Sequence, residues 1–307
     1  MSAVDTATLG QPAVDVDQAD TDDLTLWSVT TIIGTLDKPA LLYWAAEQTA
    51  NAAIDNLATW QAMLTDRGRD EAVKWLRDAR FRRPKRLLSA TDLGTVVHAV
   101  CEEYALTGTK PDRDYVADIV RQHGDNTTDV EGETNLIGRM LQQFDGWLQR
   151  FTPAYQATEV CVYNPTYGYA GTADAFLTID GIRFIGDYKS SREHLDSRGQ
   201  PKTPYTEVAL QLAAYRHAEA AAVWRPRRTE KFRRRYYLLS PAEMALAQPV
   251  PEVDSGICIH ITPESCEAYP VTCGTETHRA FLYTLECHRW VQETSKTAIG
   301  RPLTEAS

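Results

Sequence analysis

The chain has 307 residues, of which 43% are hydrophobic and 24% charged, enough apolar material for a substantial core in an ordinary soluble globular protein. No window approaches 18 consecutive apolar residues, which excludes a membrane-spanning helix. The first ten residues lack the basic and apolar regions of a secretory signal, so a cytoplasmic location is expected. The net charge of -10 is uneven: residues 1–24 hold six Asp and no Lys or Arg, which leaves -4 for the rest.

Residues 1–24 read as a disordered acidic tail, since they contain few large apolar side chains. Residues 27–33 are a short β-branched run. An Ala-rich helical pattern spans 38–60 with Pro39 at a first-turn position, and a second helix is expected over 69–79, so residues 25–88 form a helical N-terminal arm. The arm ends in a basic linker, 81–88, with Arg82, Arg83, Lys85 and Arg86 around Pro84. A helix over 89–105 follows, with an apolar stripe of Leu93, Val97, Val100, Cys101 and Tyr104. His98 stands beside that stripe, and Glu102 is one turn further on the same face. Further helices are predicted over 112–122 and 134–151, separated by a polar loop at 124–132. Residues 155–163 alternate as a first core strand, with Glu159 and Cys161 to one side.

Two strands then flank Asp180-Gly181, a strong two-residue hairpin signal. After a polar loop at 190–205, a helix over 207–223 sets Glu207, Gln211 and Tyr215 on one face at spacing four. Residues 225–235 contain seven basic side chains, among them Arg233, Arg234 and Arg235, and read as a basic loop before a strand at 236–239. A Pro-containing connector (240–255), a strand pair (256–261 and 267–271) and a closing helix (275–293) complete the chain, with no internal repeat.

The hairpin carries the chemistry. If Asp180 and Gly181 form the loop, Ile179 pairs with Ile182, Asp174 falls opposite Asp187, and Lys189 shares their face. Two carboxylates in that position repel by roughly 4 kcal/mol at an effective dielectric near 20, a cost that a divalent cation between them turns into ligation. Magnesium suits one or two carboxylates completed by water and phosphate. A lone Asp-x-Lys reads by default as a surface salt bridge; the pairing, the glycines Gly171 and Gly186 ahead of the acids, and the helix downstream favour the site.

Asp174, the turn, Asp187-Tyr188-Lys189 and Gln211-Leu212-Ala213-Ala214-Tyr215 together resemble the PD-(D/E)XK nuclease superfamily, in particular its RecB/Cas4-like exonuclease branch. Gly94-Thr95-Val96-Val97-His98 is similar to a Gly-x-x-x-His of the same nucleases. The resemblance implies an α/β, restriction-endonuclease-like core over 89–300, with a mixed central sheet flanked by helices. It implies Mg²⁺ or Mn²⁺ held by His98, Asp174, Asp187 and the Tyr188 carbonyl, with Glu159 and Glu102 as additional candidates. Lys189 would orient the attacking water and offset phosphate charge, and Gln211 and Tyr215 would position DNA or water. Arg82, Arg83, Arg86, Arg233, Arg234 and Arg235 are expected on DNA phosphates.

The implied activity is a DNA exonuclease serving recombination, replication or repair, most like those encoded by bacteriophages of actinobacteria, and therefore acting in the host cytoplasm if phage-encoded. A recombination or replication partner protein and homo-oligomerisation are compatible with it. The alternatives are a structure- or site-specific endonuclease and a non-catalytic DNA-binding accessory protein of recombination. Several Cas4-like relatives hold an iron–sulfur cluster on four Cys. Here Cys258, Cys266, Cys273 and Cys287 have gaps of 8, 7 and 14 without a close pair, so no cluster is expected, and these with Cys101 and Cys161 read as reduced, mostly buried thiols.

Overall fold

In chain order the elements are β1 (Leu24–Ser28), α1 (Val29–Ile33), α2 (Pro39–Asp55), α3 (Leu57–Arg67), α4 (Arg69–Ala79), α5 (Ala90–Thr107), α6 (Arg113–His123), α7 (Val130–Phe151), β2 (Ala154–Asn164), β3 (Tyr169–Ile179) and β4 (Ile182–Ser190). They continue with α8 (Glu207–Arg216), β5 (Ala220–Ala221), β6 (Arg227–Lys231), β7 (Arg234–Leu239), α9 (Pro241–Met244), β8 (Ser255–Ile261), β9 (Cys266–Val271) and α10 (Thr275–Gln292). This computed structural model describes residues 23–36, 39–79, 87–196, 198–222, 227–231 and 234–301. Most of the acidic tail, the basic linker with Arg82, Arg83 and Arg86, and Arg233 lie outside the described residues. Arg234 and Arg235 are described through their backbone only.

Among the described residues one mixed, mostly antiparallel sheet runs in the order β6-β7-β1-β3-β4-β8-β9, with β2 on β3 and β5 on β2. Only β1 with β3 and β4 with β8 are parallel. Side chains alternate across β3, so Ala175, Leu177 and Ile179 pack with α5, α6 and α7 on one face, while Phe176 packs with α1, α8 and α10 on the other. This is the helix-flanked α/β arrangement expected of a restriction-endonuclease-like core.

The hairpin register follows from its turn. Asp180 and Gly181 have φ of 50° and 80°, as a two-residue type I′ turn requires, and the ladder runs from Ile179↔Ile182 to Ala175↔Gly186. One further step brings Asp174 across from Asp187. There β3 is forked: β2 lines one edge throughout, while the other edge is shared by β1 at Tyr169 and Ala170 and by β4 from Ala175 onward. The stretch 171–174 lies in the gap.

Helix ends follow their caps. The Ser89 side chain accepts from Asp92 N–H at the start of α5, and Gly108 closes it in the left-handed region. Four expectations are corrected. The β-branched run at 27–33 splits into the end of β1 and α1, because Val29, Ile32 and Ile33 are buried against α8 and α10 and that burial outweighs propensity. The 38–60 pattern breaks at Asn56 into α2 and α3. The 207–223 helix stops at Arg216, since Ala220 and Ala221 pair with β2. Within the basic stretch 225–235, the described residues are strands rather than loop, β6 pairing with β7 from Arg227↔Leu238 to Lys231↔Arg234.

Candidate active site

Asp174 stands in the fork, one residue beyond the last backbone pair of β3 with β4, and its Oδ2 accepts a hydrogen bond from Tyr188 N–H at 2.7 Å. The carbonyl of the same residue is held from the opposite helix: His98 Nε2 lies 2.7 Å from the Tyr188 carbonyl oxygen. A carbonyl only accepts, so Nε2 donates to it, and Nδ1 is turned toward Asp174, 3.6 Å from its Oδ2. The Tyr188 side chain points away, its hydroxyl bonded to that of Tyr155 at 2.8 Å and its ring edge-on to Phe144.

Glu159 joins them from β2. The pairs Thr158↔Ala175 and Val160↔Ala173 place it across from Asp174. Its φ is 50°, a left-handed conformation that a non-glycine residue adopts at a cost. The consequence is visible in the packing: Ala157 and Val160 on β2, and Ala173 and Phe176 on β3, all face the α8 side although each pair is three residues apart. Both strands therefore change face together, at Glu159 and Asp174. Burial, the Asp174 charge and the Glu102 charge push the Glu159 carboxyl up to about 7. Ligand atoms of His98, Glu159 and Asp174 all lie within 4.8 Å of one another. Glu102 stands behind this trio, bonded to Thr158 Oγ1 at 3.4 Å.

Asp187 lies beside the trio rather than in it. Its side chain is 2% exposed, one oxygen accepts from Gln211 Nε2 at 2.7 Å, and the other is ion-paired with Lys189. Burial pushes the Asp187 carboxyl up, against the pull of the Lys189 charge. Burial also draws the Lys189 ammonium down, but Asp187 and Asp174 outweigh it and hold Lys189 above its ordinary value, so the amine keeps its proton. Cys258, paired with Asp187 across β4 and β8, is raised to about 12 by burial and that carboxylate, so it stays a neutral thiol.

Gln211 also reaches the Tyr215 hydroxyl at 3.4 Å. The Tyr215 ring lies on Gly171, where any Cβ would overlap it, which explains the glycine three residues before Asp174. One residue escaped the sequence reading. Arg228, within the basic stretch, donates from Nη2 to Thr172 Oγ1 at 2.7 Å and lies over the Tyr237 ring, 5.2 Å from its centroid. The signal was present only as period-two alternation, once β6 is known to be a strand.

The donor set suits a divalent cation. One imidazole nitrogen and two carboxylates converge, and the like charges of Glu159 and Asp174 oppose each other with no ion pair of their own to a Lys or Arg among the described residues. The sequence model of the PD-(D/E)XK nuclease superfamily matches residues 45–293. Among solved structures, the crystal structure of SSO0001 is similar at 15% identity, covering 69% of this chain and 79% of that one with a TM-score of 0.29. No curated protein matches the chain.

Proposed function

The chain belongs to the PD-(D/E)XK nuclease superfamily, and we propose that it is a Mg²⁺- or Mn²⁺-dependent DNA exonuclease of the RecB/Cas4-like branch. The observation that carries this reading is the convergence of His98, Glu159 and Asp174 within 4.8 Å, next to the ion-paired Lys189. A divalent cation held by these three, with Asp187 adjacent, would supply charge stabilisation at the phosphate and a more acidic bound water. The protein's part is positioning. Asp174 and His98 grip the N–H and the carbonyl of the same residue, Tyr188, and thereby fix the backbone that presents Lys189. The ammonium of Lys189 donates toward the attacking water and a phosphate oxygen, while Gln211 holds Asp187 in place to keep that amine protonated.

Attack from a strand end is favoured by the segment beyond Lys189. Arg192 makes two hydrogen bonds of 2.8 Å to the buried Glu133, and Leu195 bridges Pro201, and we take this pinned segment as a wall at the exit of the strand. Such a wall admits an end more readily than an uninterrupted duplex laid across the site. We assign the activity to DNA recombination, replication or repair, with DNA as the partner; no helix among the described residues is long and apolar enough to cross a membrane. End-labelled linear DNA and covalently closed circles incubated with Mg²⁺ or Mn²⁺ test the proposal. Progressive loss of the linear substrate with intact circles is expected, and rapid linearisation of the circle would replace the exonuclease reading with an endonuclease one.

A further inference from the structure

We infer that Arg228 is a phosphate-binding residue of this site, an anchor for a non-bridging oxygen of the phosphodiester backbone delivered by the β6–β7 hairpin. The inference rests on the nuclease reading above and adds a contact to it.

The sheet register carries Arg228 to the site. Arg228 pairs with Tyr237, Tyr237 with Leu26 on β1, and β1 enters the fork beside Ala170. Tyr237 is buried and its hydroxyl lies 3.1 Å from Thr172 Oγ1, so the ring and the Thr172 hydroxyl form a fixed seat two residues before Asp174. The guanidinium rests against that ring and donates one N–H to the Thr172 hydroxyl. A flexible side chain is thereby aimed with its remaining donors still available, and these are its fixed partners among the described residues. Its positive charge reaches Glu159, and among the described residues the two form no ion pair.

The chemistry of the donor identifies the occupant. An exposed guanidinium with free N–H groups recognises an anion, and the phosphodiester oxygens of a nuclease substrate are the anion that would reach this edge of the site. A planar guanidinium, already seated on an aromatic ring, matches phosphate oxygens in geometry as well as charge. Arg228 is exposed, as a substrate contact must be.

The test measures binding of a fluorescein-labelled DNA without divalent metal over a range of salt, for the wild type, Arg228→Ala, Arg228→Lys and Thr172→Val, together with hydrolysis in Mn²⁺. Loss of one phosphate contact should flatten the plot of log affinity against log salt by about 0.7 for a single strand or about 0.9 for a duplex in Arg228→Ala. Arg228→Lys should keep the slope. Hydrolysis should fall by about 10- to 100-fold in kcat/KM for Arg228→Ala, with partial rescue by Lys. Thr172→Val, which keeps the charge and the ring but frees the guanidinium, should lose less in the same direction. An unchanged salt slope in Arg228→Ala overturns the inference, as does an Arg228→Lys variant that loses as much as Arg228→Ala. Wild-type protein that hydrolyses no DNA would instead defeat the nuclease reading, with the salt slopes still deciding whether Arg228 holds phosphate.

Discussion

Asp174 and Asp187 stand one step beyond the same ladder, facing each other from neighbouring strands, and they differ in everything else. Asp187 lies in mid-strand with β8 on its outer side and α8 over its face, and both of its oxygens are occupied by Gln211 and Lys189. Asp174 lies in the fork, 11% exposed, with one bond to Tyr188 N–H and with His98 Nδ1 and the carboxylate of Glu159 close by. Cross-strand pairing thus dictates that two groups meet, while the strands beyond them decide what each can do. One half of the site is a pre-paired, buried scaffold; the other is a half-buried cluster of groups that could hold a metal ion.

Substitution should separate the halves most sharply in metal binding. Asp174→Ala is expected to cost turnover on the order of a thousandfold, with a Mn²⁺ affinity weakened by roughly ten-fold or more in calorimetry. Lys189→Ala should lose about 10²- to 10³-fold in turnover and keep its Mn²⁺ affinity. Equal losses of Mn²⁺ binding at the two positions would erase the distinction.

The next effect is on stability. Repulsion between paired carboxylates, read from the sequence alone, argues that Asp187→Ala leaves the stability of the metal-free protein unchanged or raises it. The structure reverses the sign, because the variant leaves the Lys189 ammonium without its partner. Lys189 is 36% exposed, so the cost is about 1–2 kcal/mol, below that of a fully buried pair. Chemical denaturation of the metal-free proteins checks it; an Asp187→Ala variant more stable than the wild type would show that the pair contributes nothing.

A comparable effect, in pH dependence, sharpens the other half. The Glu159 carboxyl titrates near 4.5 when unperturbed and at about 7 in the fold. Between those values the unfolded chain releases its proton and the folded chain retains it, so the metal-free protein is most stable below pH 4.5 with respect to this group and loses that contribution as pH rises to about 7. Glu159→Gln should remove the dependence, narrowing or reversing a gap of up to about 2 kcal/mol across this window. Parallel stability curves for the two proteins would mean that Glu159 feels no buried charge field.

Much of the scaffold was legible because short-range rules fix it. Asp180-Gly181 specifies a turn with two positive φ values, the turn specifies the register, and the register places Asp174 against Asp187. The helix over 69–79 was an equally local signal. What was illegible depends on distant partners. Nothing in the sequence announces that Glu159 is left-handed, since the cost of that conformation is met by two strands changing face together. The basic stretch reads as a loop because like charges repel; the strand is stabilised by β7, whose Tyr236 to Leu239 pair in turn with β1. The division of 27–33 into strand and helix likewise rests on burial beneath α8 and α10.

β1 has a consequence for the order of assembly. It is translated before every other strand described, yet its partners are Tyr169 and Ala170 in the middle of the chain and Tyr236 to Leu239 in its last third. Closing loops of that length is slow and entropically costly, and a strand joined only to remote segments is placed late. Until β1 docks, the fork around 171–174 lacks one of its arms and the Arg228 hairpin has nothing to connect it to Thr172. A partly synthesised chain therefore carries the aspartates without a finished cutting site, and the hazard of a half-made nuclease is contained by topology.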